Sequence, residues 1–141
     1  MAYATSDDMV RRFGETEMIE ITDRDLTGVV DAAVAGNALD DASAEIDTYL
    51  AGRYTLPFAG TPRFIAGLCC DIARYRLCIG ETRMTEEINS RYKAAIRFLE
   101  LAAAGKVTLG ELPSGAPVQP GATIAFRPGS HIWGDNDRGA F

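Results

Sequence analysis

The sequence predicts a mainly α-helical protein: a small bundle of three principal helices, with two short helices before it and an extended Gly/Pro-rich arm after it. Apolar residues recur at three- and four-residue spacing through most of residues 1–109. Glycine, proline and hydroxyl residues separate these segments, as they do at helix ends. Residues 110–141 contain four of the six prolines and six of the fourteen glycines. We therefore predict a helical domain over residues 1–109 and an arm over residues 110–141.

The two short helices come first. The stretch "TSDDMVRRFG" predicts a helix with Ser6 as its N-cap, two aspartates in its first turn and Gly14 at its end. The following "ETEMIEI" predicts a second short helix.

The first principal helix is predicted from Val30 to about Arg53. Gly36 weakens its first turns, so its start is less well defined than its end. Pro57 disfavours helical geometry in the residue before it and therefore limits the helix. The apolar face consists of Leu39, Ala42, Ile46, Tyr49 and Leu50. The opposite face carries Asp40, Asp41, Glu45 and Asp47.

Two more principal helices follow. Thr61 as N-cap and Pro62 at the first position predict a helix to about Ile79, ended by Gly80. Its apolar residues cover several sides, so we expect it to be the central, most enclosed helix. Thr85 caps the last helix, and Gly105 ends it. The continuous stripe of that helix consists of Ile88, Tyr92, Ala95, Ile96 and Leu99.

Composition limits the class of function. With 141 residues and a formal net charge of −6, the chain is expected to be one domain that does not wrap nucleic acid by neutralising phosphates. No apolar run reaches the length of a membrane span, and the start lacks an apolar secretory core. Cys69, Cys70 and Cys78 are an odd number within one apolar segment. They indicate buried thiols in a reducing compartment, with a reactive or metal-binding role as the alternative.

The stretch "ITDRDLTGVVD", residues 21–31, resembles a calcium loop. Counted from Asp23, Asp25 is at position 3, Gly28 at position 6 and Asp31 at position 9, but Val34 is at position 12, where the bidentate Glu belongs. One hypothesis is a tight turn, with Gly28 at positive φ and Asp31 at the start of the long helix. The other is weak divalent-cation binding by Asp23, Asp25 and Asp31, which would make the chain a small calcium-responsive binding module.

No motif indicates an enzyme. The only histidine, His131, lies in the arm without a catalytic partner, and phosphate loops, dinucleotide fingerprints and nucleophile elbows are absent. No cofactor is predicted. The alternative is an enzyme whose catalytic site is assembled between subunits from residues that are distant in the sequence.

The arm is unusually rich in interface residues. A disordered tail is poor in aromatics, whereas Trp and Arg anchor protein interfaces. We therefore expect the arm either to dock on a neighbouring subunit or partner, or to fold back over its own domain. The candidate partner-binding residues are Phe126, Arg127, Ile132, Trp133, Arg138 and Phe141.

Three segments carry a resemblance to a known family. The stretches "YATSDDMVRRFGETEMIEITDR", "DASAEIDTYLAGRYTLPF" and "LCCDIARYRL" resemble small proteins encoded in the head–tail joining region of Mu-like transposable phages and prophages. The resemblance covers about residues 3–105 and is specific in the middle. It is looser in the arm, where only the final "RGAF" is similar. Members of the family often have a fuller aspartate ladder in the loop, so Thr27 is a departure that disfavours calcium binding.

The resemblance implies a virion protein of the phage neck, made in the cytoplasm of the host bacterium. By fold-level analogy, it would be a head-completion adaptor that forms a ring, dodecameric like the portal, beneath the portal protein. Its implied partners are the portal, neighbouring copies of itself and the next neck or tail protein. DNA would pass through the ring without specific binding, because an acidic lumen repels phosphates.

Overall fold

The computed structural model describes residues 1–79, 83–112 and 114–121. They form five helices, α1 (Ser6–Phe13), α2 (Glu15–Thr22), α3 (Ala32–Leu50), α4 (Arg63–Cys78) and α5 (Glu86–Ala103). No strand is present in this part of the chain; there is only an isolated antiparallel bridge between Glu111 and Pro117. The predicted class, a small bundle of three principal and two short helices, is confirmed.

A capping box starts α1, one residue earlier than predicted. Thr5, not Ser6, is the N-cap: its hydroxyl accepts from the Asp8 N–H, and the Asp8 carboxylate accepts from the Thr5 N–H at 2.9 Å. Gly14 ends α1 as predicted, with a φ of 92°. The chain then turns directly into α2, so that Met9 and Met18 both reach the core.

Helix α3 is shorter than predicted at both ends. It starts after Asp31, because the Asp31 carboxylate accepts from the N–H groups of Ala33 and Val34 and so caps the helix. It ends at Leu50 rather than near Arg53, since the chain turns there and the Tyr54 N–H bonds back to the Leu50 carbonyl. The predicted apolar face is buried at Leu39, Ala42, Ile46 and Leu50, whereas Tyr49 is only half-buried.

Helix α4 is the central helix, as predicted. It packs against α2, α3 and α5, and both Asp71 and Arg74 are buried on it along with its apolar residues. Pro62 occupies the cap position and Thr61 makes no capping bond, so the predicted start was one residue early. Gly80, predicted to end the helix, lies outside the described residues.

Helix α5 closes the bundle as predicted. The Thr85 hydroxyl accepts from the Ile88 N–H at 3.3 Å. Gly105 follows the helix with a φ of 74°. This positive φ favours glycine, whereas the Arg53 guanidinium, 2.5 Å from the position of an added Cβ, is the end of a flexible side chain that can move aside. Within the predicted stripe, Ile88, Ala95 and Leu99 are buried and Tyr92 and Ile96 are half-buried.

The chain after α5 stays on the domain as far as it is described. Leu109 is fully buried in the core. A turn then brings the Val118 N–H to the Gly110 carbonyl, and the Gly121 N–H donates to the Arg53 carbonyl at 2.8 Å. The predicted arm therefore begins with a closed, anchored turn. The predicted division at residue 109 stays a prediction.

Candidate protein-interaction site

The loop between α2 and α3 is organised by the Asp23 carboxylate. One of its oxygens accepts from the Thr27 N–H at 2.9 Å and from the Thr27 hydroxyl, and the other accepts from the Gly28 N–H at 2.6 Å. These backbone donors lower the pKa of Asp23 below its ordinary value. Gly28 has the predicted positive φ, 79°. The loop therefore has the hydrogen bonds of an aspartate-centred turn.

Asp31 joins this turn to α3. Its carboxylate caps the helix, and its own N–H donates at 3.0 Å to the hydroxyl of the fully buried Thr22. That hydroxyl in turn donates to the Met18 carbonyl at 2.6 Å. The prediction that Asp31 stabilises the start of the long helix is confirmed. Val34 occupies the position where a calcium loop has its bidentate Glu. Its side chain offers no oxygen to a metal ion, and its backbone N–H donates to the Asp31 carboxylate.

Metal binding finds no further support in the described part of the chain. There, no group of three or more His, Cys, Asp or Glu side chains is arranged to hold a metal ion. Asp25, the third candidate ligand, is exposed at the loop surface. Divalent-ion binding by Asp23, Asp25 and Asp31 stays a hypothesis for direct titration.

The tip of the same loop exposes two apolar side chains that sequence reasoning missed. Leu26 is 91% exposed and Val29 is 61% exposed. Leu26 also has a φ of 57°, a left-handed conformation that costs a non-glycine residue of the order of 1 kcal/mol. The sequence does contain these two apolar residues within a turn-rich segment, but the pattern alone does not show that their side chains face solvent.

An acidic surface runs along α3. Its exposed positions include Asn37, Asp40, Asp41, Ala44 and Thr48. Neither aspartate forms an ion pair with a described residue. Glu45, at the edge of this surface, bonds Arg76 at 2.6 Å and accepts from the Tyr92 hydroxyl. Of the four predicted acidic positions, Asp40 and Asp41 are exposed and uncompensated by any described residue. Glu45 and Asp47 are half-buried, and Asp47 accepts a hydrogen bond from the Tyr3 hydroxyl.

The three thiols are buried, as predicted. The Cys69 sulfur lies 3.3 Å from the Ser43 hydroxyl and 3.7 Å from the Leu39 carbonyl. Burial raises the pKa of Cys69, and it raises the pKa of Cys70 to about 12. Both thiols are therefore protonated at neutral pH, which disfavours the alternative of a reactive thiolate.

The predicted partner-binding residues of the arm lie outside the described residues. These are Phe126, Arg127, Ile132, Trp133, Arg138 and Phe141, and His131 lies there too. The structure places only the start of the arm, held to the turn after α3 by Gly121 and Arg53. None of the described helices combines the length and hydropathy that a bilayer crossing requires.

Comparison with known proteins identifies relatives over nearly the whole chain. Residues 3–126 match the family model described as Bacteriophage Mu, Gp36. The chain is 32% identical over 139 residues to the Mu-like prophage FluMu protein gp36 of Haemophilus influenzae, covering 99% of this chain and 97% of that protein. It is 39% identical over 111 residues to gene product J of Escherichia phage Mu, covering 78% and 77%. The family match over residues 3–126 spans the five described helices and the anchored start of the arm.

Proposed function

Because the chain belongs to the bacteriophage Mu Gp36 family, we propose that it is a structural protein of the phage neck. In this proposal it is a head-completion adaptor that forms a ring beneath the portal protein and continues the DNA channel towards the tail. It acts without catalysis and without a cofactor. It is made in the cytoplasm of the host bacterium and becomes part of the virion.

The observation that carries the proposal is the extent of the family match. It covers residues 3–126, including the five helices that the structure describes, so the domain as a whole is shared with the Mu proteins rather than one motif. The central segments resemble proteins encoded in the head–tail joining region of such phages. The neck role follows from that resemblance by analogy.

The acidic surface of α3 supports the channel part of the proposal. Asp40 and Asp41 are exposed and uncompensated, and a ring that turned this surface inwards would place one such pair per copy around its lumen. Like charge repels DNA phosphates, so the genome could pass without being held. DNA is therefore a passing partner without specific binding.

The apolar loop tip supports the assembly part. Leu26 and Val29 are exposed to solvent in the single chain, and burying them against another protein removes apolar surface from water. We propose that this tip contacts one of the neck partners, which are the portal, neighbouring copies and the next neck or tail protein. A ring of twelve copies would match a dodecameric portal.

The experiment is to interrupt the gene with a stop codon in the phage or prophage that encodes it, and to image the lysate by negative-stain electron microscopy. We expect filled or partly filled heads and separate tails, with joining restored by the purified protein. Normal virions in the absence of the protein would refute the neck role. In parallel, the mass of the protein alone and mixed with its portal should show a ring in the mixture.

A further inference from the structure

A groove between α4 and α5 combines exposed aromatic surface with arginines. It has a volume of about 400 Å³. Phe64, 53% exposed, forms its apolar wall with Phe98; the two ring centroids are 4.6 Å apart and the planes are inclined at 58°. Leu68 also lines it. Three arginines line it as well, Arg12, Arg63 and Arg91, and we call them the arginine rim.

The groove is positively charged in an acidic protein. Asp71 is the only acidic residue of its lining, against the three arginines. Arg12 and Arg91 both approach the same Asp71 oxygen, at 3.7 and 3.6 Å, and Arg91 also pairs with Glu87 at 3.0 Å. Arg63 is the groove arginine that has no carboxylate partner among the described residues. The chain as a whole has a net charge of −6. This local excess of positive charge favours an acidic occupant.

Two adjacent residues that line the groove, Arg63 and Phe64, are in positions that do not stabilise the isolated domain. Arg63 is the first residue of α4, where the helix dipole disfavours a positive charge, and it forms no ion pair with any described residue. Phe64 beside it leaves half of its surface in water. Neither position is explained by the stability of the single domain, and both suit the recognition of an aromatic, acidic segment.

The arm contains a segment of this chemistry. In "HIWGDND", residues 131–137, Ile132 and Trp133 are followed by Asp135 and Asp137. Trp133 can pack against the phenylalanine wall, and the two carboxylates can pair with the rim arginines. Trp133 is twelve positions beyond Gly121, and an extended chain of that length spans about 40 Å. Since a domain of this size has a radius of gyration of about 14 Å, the arm can reach an adjacent copy.

We propose that residues 131–137 of one copy dock in the Phe64–Phe98 groove of a neighbouring copy, with Trp133 against the aromatic wall and Asp135 and Asp137 on the arginine rim. This inference rests on the proposed ring. A contact between an arm and a groove uses different surfaces on its two sides, and such heterologous contacts form a ring when the rotation between neighbouring copies closes. The position of the groove would thereby determine which surface of one copy faces the neighbouring copy in the ring.

The test uses full-length protein and its own fluorophore. Trp133 is the only tryptophan of the chain, so tryptophan emission reports the arm directly. In the wild type we expect a blue-shifted, quencher-protected emission at high protein concentration that is lost on dilution. Arg63→Glu should weaken this association by about tenfold or more. The variant should still fold, because a negative charge at the N-terminus of α4 interacts favourably with the helix dipole. Arg97→Glu reverses the charge of an arginine that lies outside the groove and is 72% exposed, and it should have no effect.

A mixing experiment separates neighbour docking from docking on the same chain. Arg63→Glu/Phe64→Ser keeps Trp133 but lacks the groove, whereas Trp133→Ala keeps the groove but lacks the fluorophore. If the arm docks on a neighbour, mixing the two restores the protected emission that neither variant shows alone. Protected emission in the wild type that does not change with dilution would show docking on the same chain and overturn the proposal. Exposed emission at every concentration would overturn docking altogether. Neither result depends on whether the lysate of the stop-codon phage contains unjoined heads.

Discussion

Arg74, in the middle of α4, places its Nε 2.5 Å from the Oε1 of Glu17 in α2. The Arg74 side chain is only 9% exposed, and its guanidinium also lies 4.5 Å above the centre of the Phe13 ring. A second carboxylate, Glu87 of α5, is 3.8 Å away. One arginine thus connects the central helix to α1, α2 and α5.

Replacing Arg74 by Met should therefore destabilise the domain. Breaking a fully buried ion pair costs about 3–5 kcal/mol, and since the Glu17 side chain is 31% exposed we expect a loss at the lower end of that range. Chemical denaturation followed by circular dichroism measures the loss. Arg97→Met is the matched control, because Arg97 is 72% exposed and its pair with Glu100 is a surface pair. Equal effects of the two variants would contradict a special role for Arg74.

The turn at Asp23 should respond to acid. Hydrogen bonds from Thr27 and Gly28 lower the pKa of the Asp23 carboxyl from its ordinary 3.8. A lowered folded-state pKa means that the contribution to stability is complete above the ordinary value and is lost as pH falls through the folded value. In Asp23→Asn, the Thr27 and Gly28 amides should exchange with solvent about tenfold faster at neutral pH. Asp25→Asn, a change at an exposed neighbour, should leave both rates unchanged.

Calcium should produce no saturable heat when it is titrated into the protein at millimolar concentration. The Asp23 and Asp31 carboxylates already accept backbone N–H bonds, and Val34 supplies no ligand oxygen at the position of the bidentate Glu. Isothermal titration calorimetry is the measurement, with a calcium-binding helix–loop–helix protein as the positive control. A saturable signal that disappears in Asp23→Asn would revive the calcium-responsive module.

The thiols should be unreactive in the folded protein. Burial raises the pKa of Cys70 to about 12, against an ordinary 9.0. At neutral pH this corresponds to about a thousandfold less thiolate, and thiolate is the reactive species. A chromogenic thiol reagent should label all three cysteines only after denaturation. Stoichiometric labelling without loss of the helical circular dichroism signal would contradict this.

Deleting residues 122–141 should leave a folded, monomeric domain that no longer completes heads. Every buried core residue in the described part of the chain lies between Tyr3 and Leu109, and the deletion keeps Gly121 with its bond to Arg53. The melting temperature should therefore be nearly unchanged, while joining of portal-bearing heads to tails is lost in an in vitro assay. A truncated protein that completes heads normally would show that the arm has no part in assembly.

The sequence alone was enough to predict the helices and most of their ends, because these depend on local chemistry. Apolar spacing predicted the buried faces, and Gly14, Thr85 and Gly105 were identified by the caps that a helix end requires. The errors at Ser6, Thr61 and Arg53 were of one to three residues, since several neighbouring residues can provide a cap and the packing selects one. The aspartates of residues 23–31 left two hypotheses open, and the hydrogen bonds of Asp23 and Asp31 were needed to show a turn and a helix cap.

Only the tertiary structure decided which residues from distant parts of the chain meet. The sequence does not reveal that Arg74 is enclosed by Phe13, Glu17 and Glu87, because these contacts join four helices. Helical spacing places Phe64 and Ile65 on different sides of α4, but it does not show that the side with Phe64 faces solvent while Ile65 is buried. Helical periodicity defines an apolar stripe on each helix. The arrangement of the helices then determines which part of that stripe is covered and which part is left for a partner.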